Sequence, residues 1–147
     1  MITLSNKEIL EEIERNISDG KTVELKVTGG SMRPYLRSGK DIVVLSPYRD
    51  IDLKPGAIVL FRYNNNPIFH RIIRIEKDNF TMQGDGICNR YEEVLKRDVI
   101  GIVNQIIRTS GKTISTHSFF SMAYWLFWRF AHPIRKYILA LYDLCKK

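Results

Sequence analysis

The sequence predicts an α+β fold that is predominantly β, with one amphipathic helix at the N-terminus and an apolar, basic helical segment at the C-terminus. Three observations lead to this prediction. Apolar residues recur at helical spacing over residues 5–18, short β-branched runs alternate with turn residues over residues 22–107, and residues 118–145 are again helical and strongly apolar. A chain of 147 residues is long enough to fold around its own hydrophobic core as one domain.

The N-terminal helix is predicted from both its first turn and its apolar face. Ser5 can cap the helix and Glu8 follows three residues later, which is the spacing of a capping box. The apolar positions repeat every three or four residues, at Ile9, Leu10, Ile13 and Ile17. We therefore assign residues 1–21 to this helix, residues 22–110 to a β domain and residues 111–147 to the C-terminal segment.

The β domain is predicted from six runs rich in β-branched and aromatic residues. In chain order the runs read TVELKV, DIVVL, AIVLFRY, IFHRIIRI, NFTMQ and VIGIVNQII. Turn-forming stretches such as LKPG, YNNNP and EKDN separate them. This pattern is typical of short strands joined by tight turns, and the sequence contains neither a repeat nor a low-complexity linker.

The net charge of +7 is unevenly distributed along the chain. Residues 1–107 carry 16 basic and 15 acidic side chains, whereas residues 108–147 carry seven basic side chains and a single acid, Asp143. An acidic partner is therefore expected at the C-terminal segment, if anywhere. We expect no nucleic-acid partner, because residues 1–21 hold one helix and no helix-turn-helix.

Cysteine content and the N-terminal sequence exclude several classes of protein. Cys88 and Cys145 lie 57 positions apart without a CxxC motif, so neither a metal site nor a disulfide framework is predicted, and no cofactor is expected. The N-terminal helix contains acidic side chains where a signal peptide needs an apolar core. We therefore expect a cytoplasmic protein.

The stretch TGGSMRP, residues 28–34, is the first candidate for chemistry. Gly29 and Gly30 leave the backbone before Ser31 uncovered, so that another chain can approach it closely. A serine hydroxyl becomes a nucleophile at neutral pH only when a neighbouring base accepts its proton. His70 is the histidine within the predicted β domain, and a partly buried imidazole stays neutral enough to serve as that base.

An acyl-transfer site also needs a group that orients the base. The stretch MQGDGICN, residues 82–89, supplies Asp85 between two glycines at the end of a predicted strand. We take Asp85 as the candidate third residue, beside Ser31 and His70. A plain tight turn is the structural alternative for this stretch, because Asp and Gly are favoured turn residues.

The order of these motifs along the chain points to a family. GGSMRPYLRSGKDIVVL, LKPGAIVLFRY, FHRIIRI, FTMQGDG and VIGIV follow one another over about residues 27–107. Together they resemble the signal peptidase I and LexA-like serine peptidases, and they are most similar to the archaeal and endoplasmic-reticulum signal peptidases, which use histidine as the base. The most specific parts are the serine-methionine-x-proline box and the histidine-arginine strand, 39 residues apart.

The resemblance implies a LexA/signal-peptidase-like β-fold and a serine endopeptidase that uses no metal or cofactor. Ser31 would attack a peptide carbonyl and His70 would act as general base. Gly29, Gly30 and Met32 would line the substrate path or hold the oxyanion through backbone N–H groups. Members of the family bind extended peptide or protein substrates and favour small residues before the cut, as in removal of a leader or signal-like segment.

Two departures from the family pattern concern the site. Gly29 stands where bacterial relatives often carry a serine whose hydroxyl supports the oxyanion, so only backbone donors remain here. The histidine branch carries a further aspartate after its glycine-aspartate pair, and that residue orients the base. The corresponding stretch here, CNRYEEV, offers Glu92 and Glu93 as alternatives to Asp85.

The C-terminal segment is the candidate for membrane contact. Its longest uncharged run, residues 118–128, falls short of the roughly 20 residues that span a bilayer. Pro133 is expected to divide it into two helices, whose apolar arc includes Trp125 and Trp128. The polar arc carries Arg129, His132, Arg135, Lys136, Asp143, Lys146 and Lys147. We expect residues 118–147 either at an anionic membrane surface, peripheral on its inner face, or packed on the protein itself or in a homodimer.

Other functions fit the same residues. The main alternative is a peptide-binding module with this fold, in which Ser31 and His70 carry out no turnover. A LexA-type repressor would need a DNA-binding domain that the single N-terminal helix does not provide. Cys88 as a thiol nucleophile lacks any sequence feature that would activate it.

Overall fold

The computed structural model describes residues 5–145 and confirms the predicted α+β fold. Within these residues, eight strands form one sheet and three α-helices pack around it. The predicted polar positions Lys146 and Lys147 lie outside the described residues. The elements are α1 (Asn6–Ser18), β1 (Val23–Lys26), β2 (Ile42–Ser46), β3 (Ile58–Tyr63), β4 (Asn66–Glu76), β5 (Asn79–Gln83), β6 (Glu92–Leu95), β7 (Val99–Ile107), β8 (Thr113–Ser115), α2 (Phe119–Phe130) and α3 (Arg135–Cys145).

Helix α1 begins with the capping box that the sequence predicts. The Ser5 hydroxyl accepts a hydrogen bond from the backbone N–H of Glu8, and the Glu8 carboxylate accepts one from the backbone N–H of Ser5. These two bonds satisfy N–H groups that have no partner within the helix. The face formed by Leu10, Ile13 and Ile17 is buried against the sheet.

The sheet is antiparallel throughout, with the strand order β1-β2-β7-β3-β4-β5-β6 and β8 also paired to β7. Six of its strands coincide with the six predicted runs to within about two residues at each end. The sequence does not predict β6 and β8, because EEVL and TIS are too short and too polar to show a strand pattern. β6 carries Glu92, one of the two predicted alternatives to Asp85.

Strand β3 lies near the middle of the sheet and is buried on both faces. Ile58 and Leu60 belong to one hydrophobic cluster, together with the apolar face of α1. Val59 and Phe61 point the other way, into a second cluster that includes Ile72 of β4. Burial on both sides explains why this strand reads as a continuous apolar run rather than an alternating one.

The C-terminal helices pack on the β domain through one face. α2 ends at Phe130 and a 3₁₀ turn containing Pro133 leads into α3, which confirms the predicted break. Trp125 and Trp128 of the predicted apolar arc are buried. Trp125 lies against Gly56, where an added Cβ would come within 2.6 Å of the indole. Among the described residues, no helix is both long and apolar enough to cross a membrane.

Candidate active site

The serine turn follows β1 and presents Ser31 beside a glycine in the left-handed region. Gly29 has φ of +80°, which favours glycine, and an added Cβ there would meet no atom within 4 Å. Met32 is buried directly after the half-buried Ser31 and anchors the turn in the core. The approach to Ser31 from the Gly29 side is therefore open.

His70 lies in the buried part of β4. It pairs with Val59 of β3, and its ring lies edge-on to Phe61 with 6.0 Å between the ring centres. Burial lowers the pKa of His70 from 6.5 to about 4; the Asp85 charge raises it and the Arg90 charge lowers it further. The imidazole is therefore neutral near pH 7 and able to accept a proton.

Gly84 is the point at which the serine turn and His70 meet. A Cβ on Gly84 would lie 2.3 Å from the carbonyl oxygen of Ser31 and 3.0 Å from Nε2 of His70. Only a residue without a side chain fits between them, so Gly84 allows the two to approach from opposite sides. Gly84 is not among the site residues predicted from the sequence; its only signal there is its place directly before Asp85.

Replacing Gly84 with alanine is therefore expected to force the serine turn and His70 apart. We expect cleavage of a substrate to fall by about two orders of magnitude or more, since displacements of about 1 Å in an active site have such effects. Gly111→Ala is the control, because a Cβ on Gly111 would meet no atom within 4 Å; its positive φ (+87°), which Gly84 does not share, makes alanine the more strained backbone at the control position. Equal activity in the two variants would contradict the role of Gly84, and thermal unfolding would separate a displaced site from an unfolded chain.

The loop around Gly84 is tied to the serine turn by backbone contacts. The N–H of Gly86 donates to the carbonyl oxygen of Ser31 at 2.8 Å. The N–H of Asp85 points to the Met32 sulfur at 3.4 Å. The loop and the turn therefore form one rigid unit, in which the position of the serine depends on residues more than 50 positions away in the chain.

Asp85 does not occupy the position predicted for it. Both of its carboxylate oxygens accept hydrogen bonds from Arg71, at 2.9 and 2.7 Å, in a fully buried ion pair. Arg71 follows His70 in the strand, and its guanidinium lies over the rings of Tyr35 and Trp125. The carboxylate of Asp85 therefore neutralises Arg71 rather than orienting the histidine.

Glu92 is the carboxylate that meets His70. Its Oε1 lies 2.6 Å from Nδ1 of His70, and both side chains are buried. The ring N–H does not point straight at this oxygen, so the contact is a close ion-dipole pair rather than a linear hydrogen bond. Burial raises the pKa of Glu92, with Arg90 acting in the opposite direction. Because Nδ1 faces Glu92, Nε2 is left facing Gly84 and the serine turn.

The pairing of β6 with β5 decides which of the two glutamates reaches the histidine. Glu92 pairs with Met82, which in turn pairs with Ile72 of β4, so Glu92 lies two strands across from the histidine strand. The next residue, Glu93, points to the opposite face and accepts hydrogen bonds from Thr81 and Asn79. Of the two alternatives, Glu92 alone is beside His70.

The C-terminal helices contact the site directly, which the sequence did not predict. The indole N–H of Trp128 donates to the carbonyl oxygen of Asp85 at 2.9 Å. Arg33, two residues after the serine, binds Asp143 of α3 through two nitrogens at 3.0 and 3.1 Å. These helices therefore hold both the serine turn and the loop that carries Gly84.

A cleft of about 380 Å³ runs up to the serine from the side of α1. Its walls come from α1, β1, the serine turn and the first part of β4, and include Ile9, Leu25, Gly29, Met32 and Phe69. The lining is mainly apolar, with Ser31 at its edge. Within the described residues, no group of three or more His, Cys, Asp or Glu side chains is arranged to hold a metal ion.

Comparison with known proteins agrees with this architecture. The model of the Peptidase S24-like family matches residues 4–102, which include the serine turn, the histidine strand, the Gly84 loop and Glu92. No curated protein matches the chain. The family match supports a serine-type peptidase and a LexA-like fold at the level of the family. With about two thirds of its length covered by that match, the chain belongs to the Peptidase S24-like family.

Proposed function

We propose that this protein is a serine endopeptidase that removes a leader or signal-like segment from a peptide or protein substrate, with Ser31 as nucleophile and His70 as general base. The observation that carries the proposal is the meeting of the serine turn with Nε2 of His70 across Gly84. Glu92 on the other ring nitrogen supplies the orienting group that such a base needs. Belonging to a peptidase family is consistent with this chemistry.

The proposed reaction begins with a neutral His70, whose Nδ1–H faces Glu92. Nε2 takes the proton of Ser31 as its Oγ bonds to the carbonyl carbon of the scissile peptide. The negative charge then forms on the former carbonyl oxygen. Among the described residues, no hydrogen bond occupies the backbone N–H of Gly30 or Ser31, so both are available to that oxyanion.

The second half of the reaction returns the proton. The imidazolium of His70, stabilised by the Glu92 carboxylate, protonates the amine as the peptide C–N bond breaks, leaving an acyl ester on Ser31. A water molecule then gives a proton to His70 while its oxygen attacks the ester, which releases the acid and restores the serine hydroxyl.

The cleft supports binding of an extended substrate. Within residues 5–145, β1 is an edge strand that pairs only with β2, so its other edge can form main-chain hydrogen bonds with an added strand. Leu25 and Val27 line the cleft beside this edge and lead directly to Gly29 and Ser31. A peptide laid along β1 would bring a carbonyl to the serine, and the open Gly29 position leaves room for its backbone.

A cleavage screen tests the proposal. The purified protein is incubated with a proteome-derived peptide library, and new termini are identified by mass spectrometry against a Ser31→Ala blank. We expect new termini that follow small residues and are absent from the blank. Retention of library peptides without any serine-dependent cut would instead favour the peptide-binding alternative.

The pH dependence of kcat/KM is expected to reflect the buried histidine. His70 must be neutral to accept a proton, so activity rises with pH through its pKa and levels off above it. Because burial lowers that pKa to about 4, half-maximal activity should lie well below 6.5. Glu92→Gln removes a carboxylate that favours the imidazolium. It should therefore lower kcat and move the acid limb, the rising part of the pH profile, to lower pH. An acid limb at 6.5 or above in the parent would contradict the assignment of His70 as a buried base.

A further inference from the structure

The outward face of the C-terminal helices is apolar, which is the reverse of an ordinary surface helix. Trp125 and Trp128 turn one side of α2 inward, and Leu139 does the same for α3. The opposite sides should then be polar if they faced water alone. Instead they carry large exposed apolar side chains, and we call this set the aromatic face: Phe119, Phe120, Met122, Leu126, Phe127, Phe130, Ile134, Tyr137, Leu141 and Leu144.

The aromatic face is larger than the apolar patches of typical soluble monomers. Phe119, Phe120 and Phe130 are 80–82% exposed and Phe127 is 61% exposed. At about 200 Å² for each phenylalanine, these four alone expose roughly 600 Å². The largest patch on a typical monomer covers about 300–600 Å², so the full face exceeds it and indicates an interaction surface.

The charges around the aromatic face are basic. Arg129 and Lys136 are exposed beside it on α2 and α3. Asp143, the single acid after residue 107, is paired with Arg33 of the serine turn. Arg135, predicted on the polar arc, is instead buried, with its guanidinium donating to Gln83 and to the carbonyl oxygen of Trp128. It therefore contributes nothing to the exposed charge.

We propose that the aromatic face lies in the surface of an anionic lipid bilayer, with α2 and α3 parallel to the membrane plane. The apolar side chains would enter the boundary between headgroups and acyl chains, while Arg129 and Lys136 contact the phosphates. This arrangement both removes the apolar side chains from water and pairs the basic side chains with anionic headgroups. It concerns a surface outside the proposed peptidase site and does not depend on catalysis.

Charge complementarity favours the bilayer over a second copy of this chain. A dimer that joins two aromatic faces would bring together two basic rims, since residues 108–147 supply no acid other than Asp143. An anionic bilayer offers phosphates to every basic side chain at the rim, without the repulsion between like charges that such a dimer would have.

Membrane contact through this face would also fix the position of the proposed active site. The indole of Trp128, on the inner side of α2, holds the carbonyl of Asp85 in the Gly84 loop. Arg33 connects α3 to the serine turn in the same way. Contacts between these helices and the serine turn would therefore fix the position of Ser31 relative to the bilayer surface, which suits substrates that are themselves held at a membrane.

Vesicle binding tests this proposal in the full-length protein. Cosedimentation is measured with vesicles of phosphatidylcholine alone and with vesicles containing about 30% phosphatidylglycerol, a fraction chosen to give a strong surface potential. We expect binding to the anionic vesicles that weakens several-fold as salt is raised, because the screening length shrinks. Ser31→Ala should bind as well as the parent, which keeps this result separate from any result on cleavage.

Two pairs of variants separate the apolar and the basic contributions. Phe127→Gln with Phe130→Gln should weaken binding about tenfold or more, since two large apolar side chains no longer enter the bilayer. Ile51→Gln is the matched control, because Ile51 is 75% exposed but lies outside the C-terminal helices. Its binding should equal that of the parent.

Arg129→Gln with Lys136→Gln tests the basic rim. Binding to anionic vesicles should fall several-fold, with a smaller dependence on salt than in the parent. Lys40→Gln with Lys112→Gln removes the same charge from exposed positions outside these helices and should have a smaller effect.

The outcomes are distinct. A parent protein that binds no vesicles overturns the proposal, whether it is a monomer or a dimer. A dimer that dissociates in the Phe127→Gln, Phe130→Gln variant would assign the aromatic face to a second copy instead. Equal loss in Ile51→Gln would also contradict it, because binding would then not depend on this face. Circular dichroism of each variant ensures that only folded proteins are compared.

Discussion

Replacing Ser31 with alanine is expected to abolish cleavage, with a fall in kcat/KM of at least about three orders of magnitude. His70→Ala should be almost as severe, because the serine hydroxyl then has no base to accept its proton. The two residues act as one unit, so the double variant should be little worse than either single variant. Initial rates on a substrate from the cleavage screen measure all three.

Two matched controls test whether the loss of activity is specific to the proposed site. Ser18→Ala removes a hydroxyl from the exposed last turn of α1, and His117→Ala removes an exposed imidazole that contacts Asn104. Both should keep the parent rate. Undiminished cleavage by purified Ser31→Ala would exclude it as the nucleophile, and additive losses in the double variant would indicate that the two residues do not act together.

Replacing Asp85 with alanine is expected to cost about 3–5 kcal/mol of the free energy of unfolding. The reason is that Arg71 would remain in the core as a buried charge without its carboxylate. Its stacking on Tyr35 and Trp125 would not replace the two hydrogen bonds that it makes to Asp85. Urea unfolding followed by fluorescence measures the loss, with Trp125 and Trp128 as nearby reporters.

An exposed ion pair of the same kind provides the control. Asp52→Ala breaks a contact with Arg49 at the protein surface, where solvent screens the charges, and should change stability little. Glu92→Gln should also keep most of the stability, because the amide can still contact His70, while its effect appears in kcat. If Asp85→Ala instead unfolds like the parent but loses activity, Asp85 would be a functional residue rather than a structural one.

The different outcomes for Asp85 and Glu92 show where sequence reasoning failed. Asp85 stands in a glycine-flanked turn that looks catalytic, and the sequence contains no sign that its carboxylate faces Arg71. Arg71 is buried in succession with His70 and Ile72 of β4, and its charge is paired with Asp85 there. Glu92 was named only as an alternative, since the four-residue strand that carries it gives no periodic signal of its own.

The C-terminal helices show a similar limit. Their apolar character and their break at Pro133 could be predicted from local pattern. Which of their apolar residues face inward could not, because apolar residues spread over most of the circumference of each helix. Trp125 and Trp128 were assigned to the apolar arc without a direction, and Gly56 and the Asp85 carbonyl provide the surface and the hydrogen-bond acceptor that draw them inside.

The amino-acid sequence by itself determined the elements whose signals are local: the capping box of α1, the six apolar strands, and the serine turn with its glycines. It also predicted that a serine and a histidine suited to act as its base both lie in the β domain. Only the tertiary structure decided their partners: Glu92 beside His70, Arg71 on Asp85, and Gly84 between the histidine and Ser31. The physical reason is that these contacts depend on strand register and on packing between segments far apart in the chain, and residue pattern within a short window carries no information about either.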